Sequence, residues 1–247
     1  MNNSEDKKTY YLNAYDDTNK LFGDGEDFNF MNHGYHPVHP KCIHLFLDTC
    51  ASMYCSLADR LGDVNNKNIL DVGCGRGGGT KLLKKFYNFS EVCGCDLNKK
   101  NIDQCQKDPA GCSFKIDDAE YLGKYRNEYF DFIINIESSH CYSNLNKFFE
   151  AIKRILKKHG IFITADIIRS RDIPIYLSAV SKSFEIQRIE NITSNVENSC
   201  RHLLEKLSKS DLNDERNIYW KELVLEKLEF YSNKDHHFLA SILKKYK

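Results

Sequence analysis

Short apolar runs alternate with stretches of helical periodicity through the middle of the chain. The runs predict five strands, at 68–73, 91–96, 113–116, 129–136 and 161–166. Between the last two, apolar side chains recur at helical spacing from Leu145 to Leu156, and Gly160 is the predicted end of that helix. Strands that alternate with helices are typical of βαβ units and a parallel sheet. The pattern therefore predicts an α/β core.

Apolar stripes also flank this core on both sides. Upstream, one stripe runs from Ile43 to Leu61, between Pro40 and Gly62, and predicts a long helix packed on the core. Downstream, the pattern predicts a strand, two helices and a last strand that returns along the sheet edge, at 183–193, 196–207, 215–230 and 237–243. A helical insertion just before a final strand is a place for a substrate cap, although a simple packing helix fits equally well.

The length of the chain limits the number of domains. With 247 residues and 41% hydrophobic content, the chain can bury a substantial core within one α/β domain. We interpret residues 1–247 as one domain, with N-terminal helices over 1–62, the core over 63–193, and the insertion with the last strand over 194–247. No apolar run reaches the ~18 residues needed to cross a bilayer, and no apolar signal core opens the chain. We expect a soluble, cytoplasmic protein.

Charge and cysteine content argue against two further classes of protein. Lysine plus arginine (35) balance aspartate plus glutamate (35), so a nucleic-acid partner has no electrostatic support and a small-molecule acceptor is expected. The ten cysteines include no C-x-x-C pair of the kind that binds zinc, and we interpret them as reduced core residues. His33, His36 and His39 are close in sequence, but Gly34 and Pro37 break any helix that would align them. No metal site is predicted.

A glycine-rich turn follows the first core strand. Residues 69–77 read Ile-Leu-Asp-Val-Gly-Cys-Gly-Arg-Gly, which places Asp71 just before glycines 73, 75 and 77. Dinucleotide-binding turns have G-x-G-x-x-G spacing, which lets the backbone approach a pyrophosphate. A carboxylate beside the turn repels phosphate but can hold an ammonium group, directly or through water. The turn therefore suits S-adenosylmethionine better than a nicotinamide cofactor, although an ordinary strand and turn would read similarly.

The D-x-G-x-G-x-G pattern resembles motif I of the class I S-adenosylmethionine-dependent methyltransferases. The resemblance implies a Rossmann-like, doubly wound, seven-stranded and mostly parallel sheet with an antiparallel last strand. It also implies an N-terminal helical lid and a helical insertion before that strand. The residues that it implies around the cofactor are Tyr15, Asp71, Gly73, Cys74, Gly75, Asp96, Leu97, Asp118, Ala119 and Asn135.

Three of these residues have individual expected roles. Asp96 ends the second strand, 96 − 77 = 19 residues after the last turn glycine, near the spacing at which an acid accepts ribose hydroxyls. Leu97 would then pack on the adenine. Asp118 resembles the acid of the family's D-A motif, which meets the adenine amino group. A solvated strand-end acid and an Asx turn are the alternatives for the two aspartates.

A second specific segment follows the fourth strand. The sequence Glu-Ser-Ser-His-Cys-Tyr at 137–142 resembles the small-molecule O-methyltransferases of the phthiotriolone dimycocerosate type and, more distantly, the indolocarbazole sugar O-methyltransferases. Thr164-Ala165-Asp166, at the end of the fifth strand, fits the same group. The similarity runs from about residue 32 to 240, but specific motifs occur only within 69–166.

The most direct chemical expectation is a general base. Methyl transfer to an alcohol or phenol requires removal of its proton, and His140 titrates near the operating pH, with Asp166 placed to orient its ring. A loop histidine that satisfies a backbone carbonyl, and an aspartate that caps a helix, remain the alternatives. Glu137 and Tyr35 are candidate substrate-binding residues. His36-Pro37 stands where related enzymes often have tryptophan, which puts the lid contacts in doubt.

We therefore expect S-adenosyl-L-methionine-dependent O-methylation of a small hydroxylated metabolite. N- or C-methylation on the same scaffold stays open, because an amine attacks without prior ionisation and would make the base redundant. A catalytically silent cofactor-binding module also stays open, since motif I indicates a pocket and not turnover. Asp71 argues against a nicotinamide oxidoreductase.

Overall fold

A seven-stranded sheet forms the centre of the protein, which we describe from a computed structural model over residues 4–22, 29–209, 215–232 and 235–246. Its strands are β1 (Asn68–Val72), β2 (Glu91–Asp96), β3 (Ser113–Ile116), β4 (Phe130–Ile136), β5 (Leu156–Arg169), β6 (Phe184–Asn191) and β7 (His236–Lys245). Their order is β3-β2-β1-β4-β5-β7-β6, with β1 to β5 parallel and β7 antiparallel to both of its neighbours. The predicted fold class is confirmed, including the antiparallel last strand.

Eight helices of the described residues surround this sheet. They are α1 (Ser4–Phe22), α2 (Asp48–Ala58), α3 (Gly78–Phe86), α4 (Lys99–Lys107), α5 (Leu145–Ile155), α6 (Ile173–Ser181), α7 (Thr193–Leu207) and α8 (Glu215–Ser232). Neighbouring strand residues point to opposite faces, so Ile69 packs with α2, α3 and α7, whereas Leu70 packs with α5 and α6. Among these helices, none combines the length and apolarity needed to cross a membrane.

The position of the last strand differs from the sequence prediction. Residues 237–243 are predicted at the sheet edge, but β7 lies between β5 and β6, and Ala240 pairs with both Ala165 and Glu190. The edge strand is β6, whose side chains are mostly exposed or half-buried. The sequence of β7 is therefore apolar because the strand is flanked on both sides and covered on its faces. A strand pattern alone does not distinguish such an interior strand from an edge strand.

Two predicted helices also differ in their bounds. The stripe from Ile43 to Leu61 is not one helix: two 3₁₀ turns flank α2, and Ile43 is 56% exposed. The helix predicted to reach Gly160 ends at Ile155, because Leu156 already pairs with Phe130 in the sheet. Residues 157–160 then form an irregularity in β5. Helix α6 was not predicted from the sequence.

Candidate active site

The glycine turn connects β1 to α3 in a backbone shape that other residues rarely adopt. Gly73, Gly75 and Gly77 have φ values of 72°, 54° and 81°, in the left-handed region that favours glycine. A side chain at position 73 would also overlap the hydroxyl of Ser138 in the loop after β4. The glycines therefore allow both the turn and its close approach to the neighbouring loop.

A cavity opens beside this turn, at the carboxyl ends of β1 to β4, where doubly wound sheets bind ligands. Together with the solvent at its mouth, it contains about 930 Å³ of space between atoms. The structure brings nine of the sequence-predicted site residues to its walls: Tyr15, Gly73, Cys74, Gly75, Asp96, Leu97, Asp118, Ala119 and Glu137. It adds several that no sequence motif indicated, among them Lys8, Tyr11, Tyr54 and Asn98.

Asp96 is held in place by backbone amides. Its Oδ2 accepts a hydrogen bond from the Gly75 amide at 2.9 Å, and its Oδ1 accepts one from the Asn98 amide at 2.8 Å. Burial raises the pKa of the Asp96 carboxyl against these hydrogen bonds. The side chain thus joins the glycine turn to the start of α4. Leu97, 38% exposed, follows it on the cavity wall.

Asp118 contacts the N-terminal helix. The Lys8 ammonium lies 2.7 Å from Asp118 Oδ2 and 3.3 Å from Glu120 Oε1. The Glu120 amide donates to Asp118 Oδ1 at 2.9 Å, which is the Asx turn considered from the sequence. Ala119 is buried between the two acids. The segment after β3 is therefore a wall of the cavity and a docking point for α1.

Helix α1 covers the cavity mainly through polar contacts. Lys7 Nζ donates to the Tyr142 carbonyl at 2.8 Å, and the Tyr15 hydroxyl lies 3.8 Å from Cys141 Sγ. Asp16 accepts a hydrogen bond from Asn98 Nδ2 at 2.8 Å. Tyr15 is among the residues that the family resemblance implies, whereas Lys7 carried no signal because an isolated lysine on a polar helix is common.

Three of the residues predicted to bind the cofactor or the substrate do not line the cavity. Asp71 is fully buried behind the turn and accepts a hydrogen bond from Thr80 Oγ1 at 2.7 Å. Burial raises its pKa to about 7, against hydrogen bonds from Thr80 and Tyr54. This carboxyl therefore ties β1 to α3 and stands behind the cavity wall, where the sequence placed it beside an ammonium group.

Asn135 and Tyr35 are the other two. Asn135 is fully buried, and its Nδ2 donates to the Val72 carbonyl at 2.8 Å and to the Tyr142 hydroxyl at 3.0 Å. It supports the cavity floor from below. The ring centroid of Tyr35 lies 5.9 Å from the guanidinium carbon of Arg60. The structure does not bring Tyr35 to the predicted substrate side.

His140 and Asp166 form a close pair at one end of the site. Nδ1 of His140 lies 2.7 Å from Asp166 Oδ1, and the His140 amide donates to Asp166 Oδ2 at 3.0 Å. The Ser139 hydroxyl and the Ile167 amide donate to the same carboxylate. Asp166 is buried, whereas the His140 side chain is 29% exposed. The carboxylate is thus fixed and the ring reaches toward solvent.

The pair favours its charged form. Burial alone would lower the pKa of His140, but the charge and hydrogen bond of Asp166 outweigh it and hold that pKa well above its ordinary value. Burial would likewise raise the pKa of Asp166, yet His140 and Ser139 keep it below its ordinary value. His140 does not itself line the cavity. Its ring packs edge-on, with centroids 6.0 Å apart, against Tyr11, which does.

Glu137 forms a second carboxylate–histidine pair, which the sequence did not indicate. It adopts φ 48° and accepts a hydrogen bond from the His33 amide at 2.7 Å. Nδ1 of His33 lies 2.5 Å from its other oxygen. These two contacts hold the segment around His33 against the loop after β4. Glu137 also lines the cavity.

The cavity suits a nucleoside that carries hydroxyl and ammonium groups. Because the glycines of the turn have no side chains, a ligand in the cavity can approach its backbone closely. The cavity wall also includes the carboxylates of Asp96 and Asp118. Carboxylates accept hydrogen bonds from hydroxyls and ammonium groups and repel phosphates. The lysine at the wall, Lys8, is already paired with Asp118.

Comparison with known proteins agrees with this chemistry. Residues 70–164 match the model of a family described as "Methyltransferase domain". The fatty-acid O-methyltransferase of Mycolicibacterium smegmatis is 32% identical over 163 residues, which cover 63% of this chain and 59% of that protein. The phthiotriol/phenolphthiotriol dimycocerosates methyltransferase of Mycobacterium leprae is 38% identical over 113 residues, covering 45% and 42%. The chain thus spans about half the length of these relatives.

Solved structures share the whole fold at low sequence identity. The [4+2]-cyclase SpnF superposes with a TM-score of 0.76 at 18% identity, covering 96% of each chain. The cyclopropane synthase MmaA2 of Mycobacterium tuberculosis superposes with a TM-score of 0.73 at 15% identity, covering 94% of this chain and 98% of that one. Over residues 70–164 the chain thus matches the methyltransferase domain family, and its sheet order and glycine turn are those expected of the class I methyltransferase fold, whose cofactor is S-adenosyl-L-methionine.

Proposed function

We propose that the protein transfers a methyl group from S-adenosyl-L-methionine to a hydroxyl of a small molecule. His140 is the general base and Asp166 orients it. The observation that carries this proposal is the 2.7 Å contact between His140 Nδ1 and Asp166 Oδ1 beside the cavity. A hydroxyl becomes a competent nucleophile only as its proton leaves, and a histidine held in one orientation is suited to accept it.

The roles of the two residues follow from which nitrogen is engaged. Asp166 accepts a hydrogen bond from Nδ1–H of His140, so Nε2 is the atom that takes the acceptor's proton. Because Asp166 is buried and ionised, it stabilises the imidazolium formed in that step. When bound, the cofactor supplies the methyl group on a sulfonium leaving group.

The remaining cavity residues bind and orient. Asp96 and Asp118 offer carboxylates to the nucleoside, and the covering helix α1 excludes water from the reacting oxygen. Positioning and desolvation then contribute most of the acceleration. The relative in Mycolicibacterium smegmatis is named a fatty-acid O-methyltransferase, which supports an oxygen acceptor.

A carboxylic acid is the second candidate acceptor. The raised pKa of His140 favours it, because it widens the pH range in which the ring is an imidazolium, and an imidazolium attracts a carboxylate, which needs no base to become a nucleophile. The two candidates predict opposite pH responses. Hydroxyl methylation rises as His140 loses its proton, whereas carboxylate methylation falls as the cation disappears.

N- or C-methylation and a non-methylating role are compatible with the same fold. The structural neighbour SpnF is titled a [4+2]-cyclase, and a geranyl diphosphate C-methyltransferase from Streptomyces coelicolor A3(2) has the same fold at a TM-score of 0.67 and 15% identity. At these low identities the matches show only the fold, and the type of reaction has to be inferred from the residues of the site. A catalytically silent module would bind the cofactor without turnover.

A panel of acceptors with isotopically labelled cofactor tests the proposal. Matched alcohols, phenols, carboxylic acids and amines of the same chain length are incubated with the protein across pH 6 to 10, and product is identified by mass spectrometry. We expect labelled ether from an alcohol or phenol, at a rate that increases with pH. Labelled amine alone, or cofactor binding without product from any acceptor, would refute it.

A further inference from the structure

A cluster of two thiols and one imidazole lies apart from the cofactor cavity. His39 and Cys42 belong to the 3₁₀ turn at Pro40–Cys42 and its cap, and Cys55 belongs to the last turn of α2. Their donor atoms all lie within 4.8 Å of one another. We propose that His39, Cys42 and Cys55 bind one thiophilic transition-metal ion, with Zn²⁺ as the expected occupant.

The distances within the cluster fit a tetrahedral thiolate site. Zinc holds sulfur at about 2.3 Å, which places two thiolates of a tetrahedral site roughly 3.8 Å apart. Cys42 Sγ and Cys55 Sγ are 3.5 Å apart. Metal binding therefore requires only a small adjustment of these two side chains.

Both ring nitrogens of His39 have a partner, and Nδ1 is the one that a metal could take over while Nε2 keeps its carboxylate. Its Nε2 lies 2.9 Å from Asp59 Oδ2, and Asp59 is itself held by the Tyr87 hydroxyl at 2.6 Å. Nδ1 accepts a hydrogen bond from the Lys41 amide at 3.2 Å, and a metal ion bound through Nδ1 would replace that hydrogen bond. Metal-bound histidines commonly donate their second nitrogen to a carboxylate, which fixes the ring and strengthens the ligand. Asp59 occupies that supporting position.

Burial and donor type favour zinc over hard cations. Cys42 and Cys55 are both 0% exposed, and the His39 side chain is 14% exposed. Two buried thiolates would be costly alone, and a divalent ion compensates their charge. Sulfur and imidazole select zinc or copper(I) over magnesium or calcium. Among the described residues the cluster offers three ligands, so water completes the coordination.

The site would stabilise the segment that reaches the cavity. It ties the turn at Pro40–Cys42 to the end of α2, and the same segment continues upstream to His33 at Glu137. We therefore assign the metal the role of holding this turn to α2, which does not depend on the proposed methyl transfer. The sequence did not indicate this metal site, because His-x-x-Cys followed by a cysteine 13 residues later is not the usual C-x-x-C spacing. Of the three histidines at 33, 36 and 39, only His39 belongs to the cluster.

Metal analysis and cobalt spectroscopy of the full chain test this site. The protein is produced in zinc-supplemented medium, purified with a non-chelating reductant, and its metal content is measured by plasma mass spectrometry. We expect about one zinc per chain, and thiolate-to-cobalt charge-transfer absorption when Co²⁺ is added to metal-free protein. Cys42→Ser and Cys55→Ser should abolish both signals. Cys50→Ser, at an equally buried position on the same helix, should retain both.

A positioning variant and a thiol count complete the test. Asp59→Asn should keep the metal but lower its affinity about 10- to 100-fold, measured by competition with a chromophoric chelator. Wild-type protein that retains no zinc and gives no cobalt–thiolate absorption would overturn the proposal without reference to any variant. Loss of two titratable thiols that reductant restores and chelator does not would also overturn it, because a Cys42–Cys55 disulfide would then occupy the site.

Discussion

His140 Nδ1 lies 2.7 Å from Asp166 Oδ1, and this contact joins the loop after β4 to the neighbouring strand β5. Because parallel strands end at the same edge of the sheet, the pair stands beside the cavity formed by the glycine turn. The buried carboxylate fixes the ring and raises its pKa. The proposed base and its orienting group are thus adjacent in the fold although 26 residues separate them in sequence.

The pH dependence of hydroxyl methylation reports this pair. Asp166 holds the pKa of His140 well above its ordinary value, and the ring accepts a proton from the acceptor only after it has lost its own. We expect kcat/KM to rise with pH through that raised value. Asp166→Asn removes the charge that raises the pKa, so the rising limb should move to lower pH while the maximum rate falls. A profile unchanged in position by Asp166→Asn would contradict the assignment.

The same pair makes a pH-dependent contribution to stability. The raised pKa of His140 stabilises the folded state. This stabilisation is fully present below the pKa of the histidine in the unfolded chain, about 6.5, and is lost as pH rises through the pKa in the folded protein. The lowered pKa of Asp166 also stabilises the folded state. This second contribution is fully present above the pKa of the aspartate in the unfolded chain, about 3.9, and is lost as pH falls through the lower pKa in the folded protein. His140→Gln should therefore destabilise the protein most between about pH 4 and 6.5 in urea titrations. A difference that is greatest at alkaline pH would contradict this account.

Asp96 should control cofactor affinity. Hydrogen bonds to a charged group contribute about 1.5–3 kcal/mol, so Asp96→Ala should weaken S-adenosyl-L-methionine binding roughly 10- to 100-fold in calorimetric titrations. Asp103→Asn, an exposed acid on α4 paired with Lys99, is the matched control and should leave affinity unchanged. Equal affinity in wild-type protein and Asp96→Ala would remove Asp96 from the nucleoside site.

Gly79 should be intolerant of any side chain. A methyl group there would overlap the ring of Tyr54, which packs against the first turn of α3. Replacing a helical glycine with alanine normally raises the free energy of unfolding by about 1 kcal/mol. At position 79 we expect overpacking to lower it by about 1–3 kcal/mol or more, so that the variant is destabilised. Gly123→Ala, with open space around it, should be close to neutral. Unfolding free energies from urea titrations compare the two, and a stabilised Gly79→Ala would disprove the packing argument.

Lys8 should have a modest effect on cofactor binding. It connects α1 to Asp118 and Glu120, but its side chain is 26% exposed, where ion pairs contribute no more than about 1 kcal/mol. Lys8→Ala should therefore raise the cofactor Kd by less than about fivefold, and added salt should reduce the difference. A loss of 100-fold or more would show that Lys8 contacts the cofactor itself.

The sequence predicted the core well because its signals are local. Strands β2 and β3 were predicted to the residue, and the turn at 73–77 indicated the cofactor, since glycines with left-handed φ leave a direct trace in sequence. The position of β7 was wrong, because an apolar strand reads alike whether it lies at the edge or between two neighbours. The order of strands depends on long-range packing, which periodicity does not encode.

The site was predicted in part for the same reason. Residues at a strand end or in the loop after it, such as Asp96 and His140, could be located from the strand pattern. The contributions of Lys8 and Tyr11 come from a polar helix that folds back over the cavity, and no local pattern indicates that path of the chain. Asp71 was placed at the correct strand end, but its burial behind the turn depends on Thr80, nine residues later.

The most direct test of the central claim is methyl transfer by His140→Gln under single-turnover conditions, with cofactor affinity measured on the same preparation. Glutamine keeps a polar side chain but cannot accept the proton. The account predicts an unchanged Kd for S-adenosyl-L-methionine and a rate of hydroxyl methylation lower by about two orders of magnitude or more. A variant that methylates the hydroxyl at the wild-type rate would contradict it.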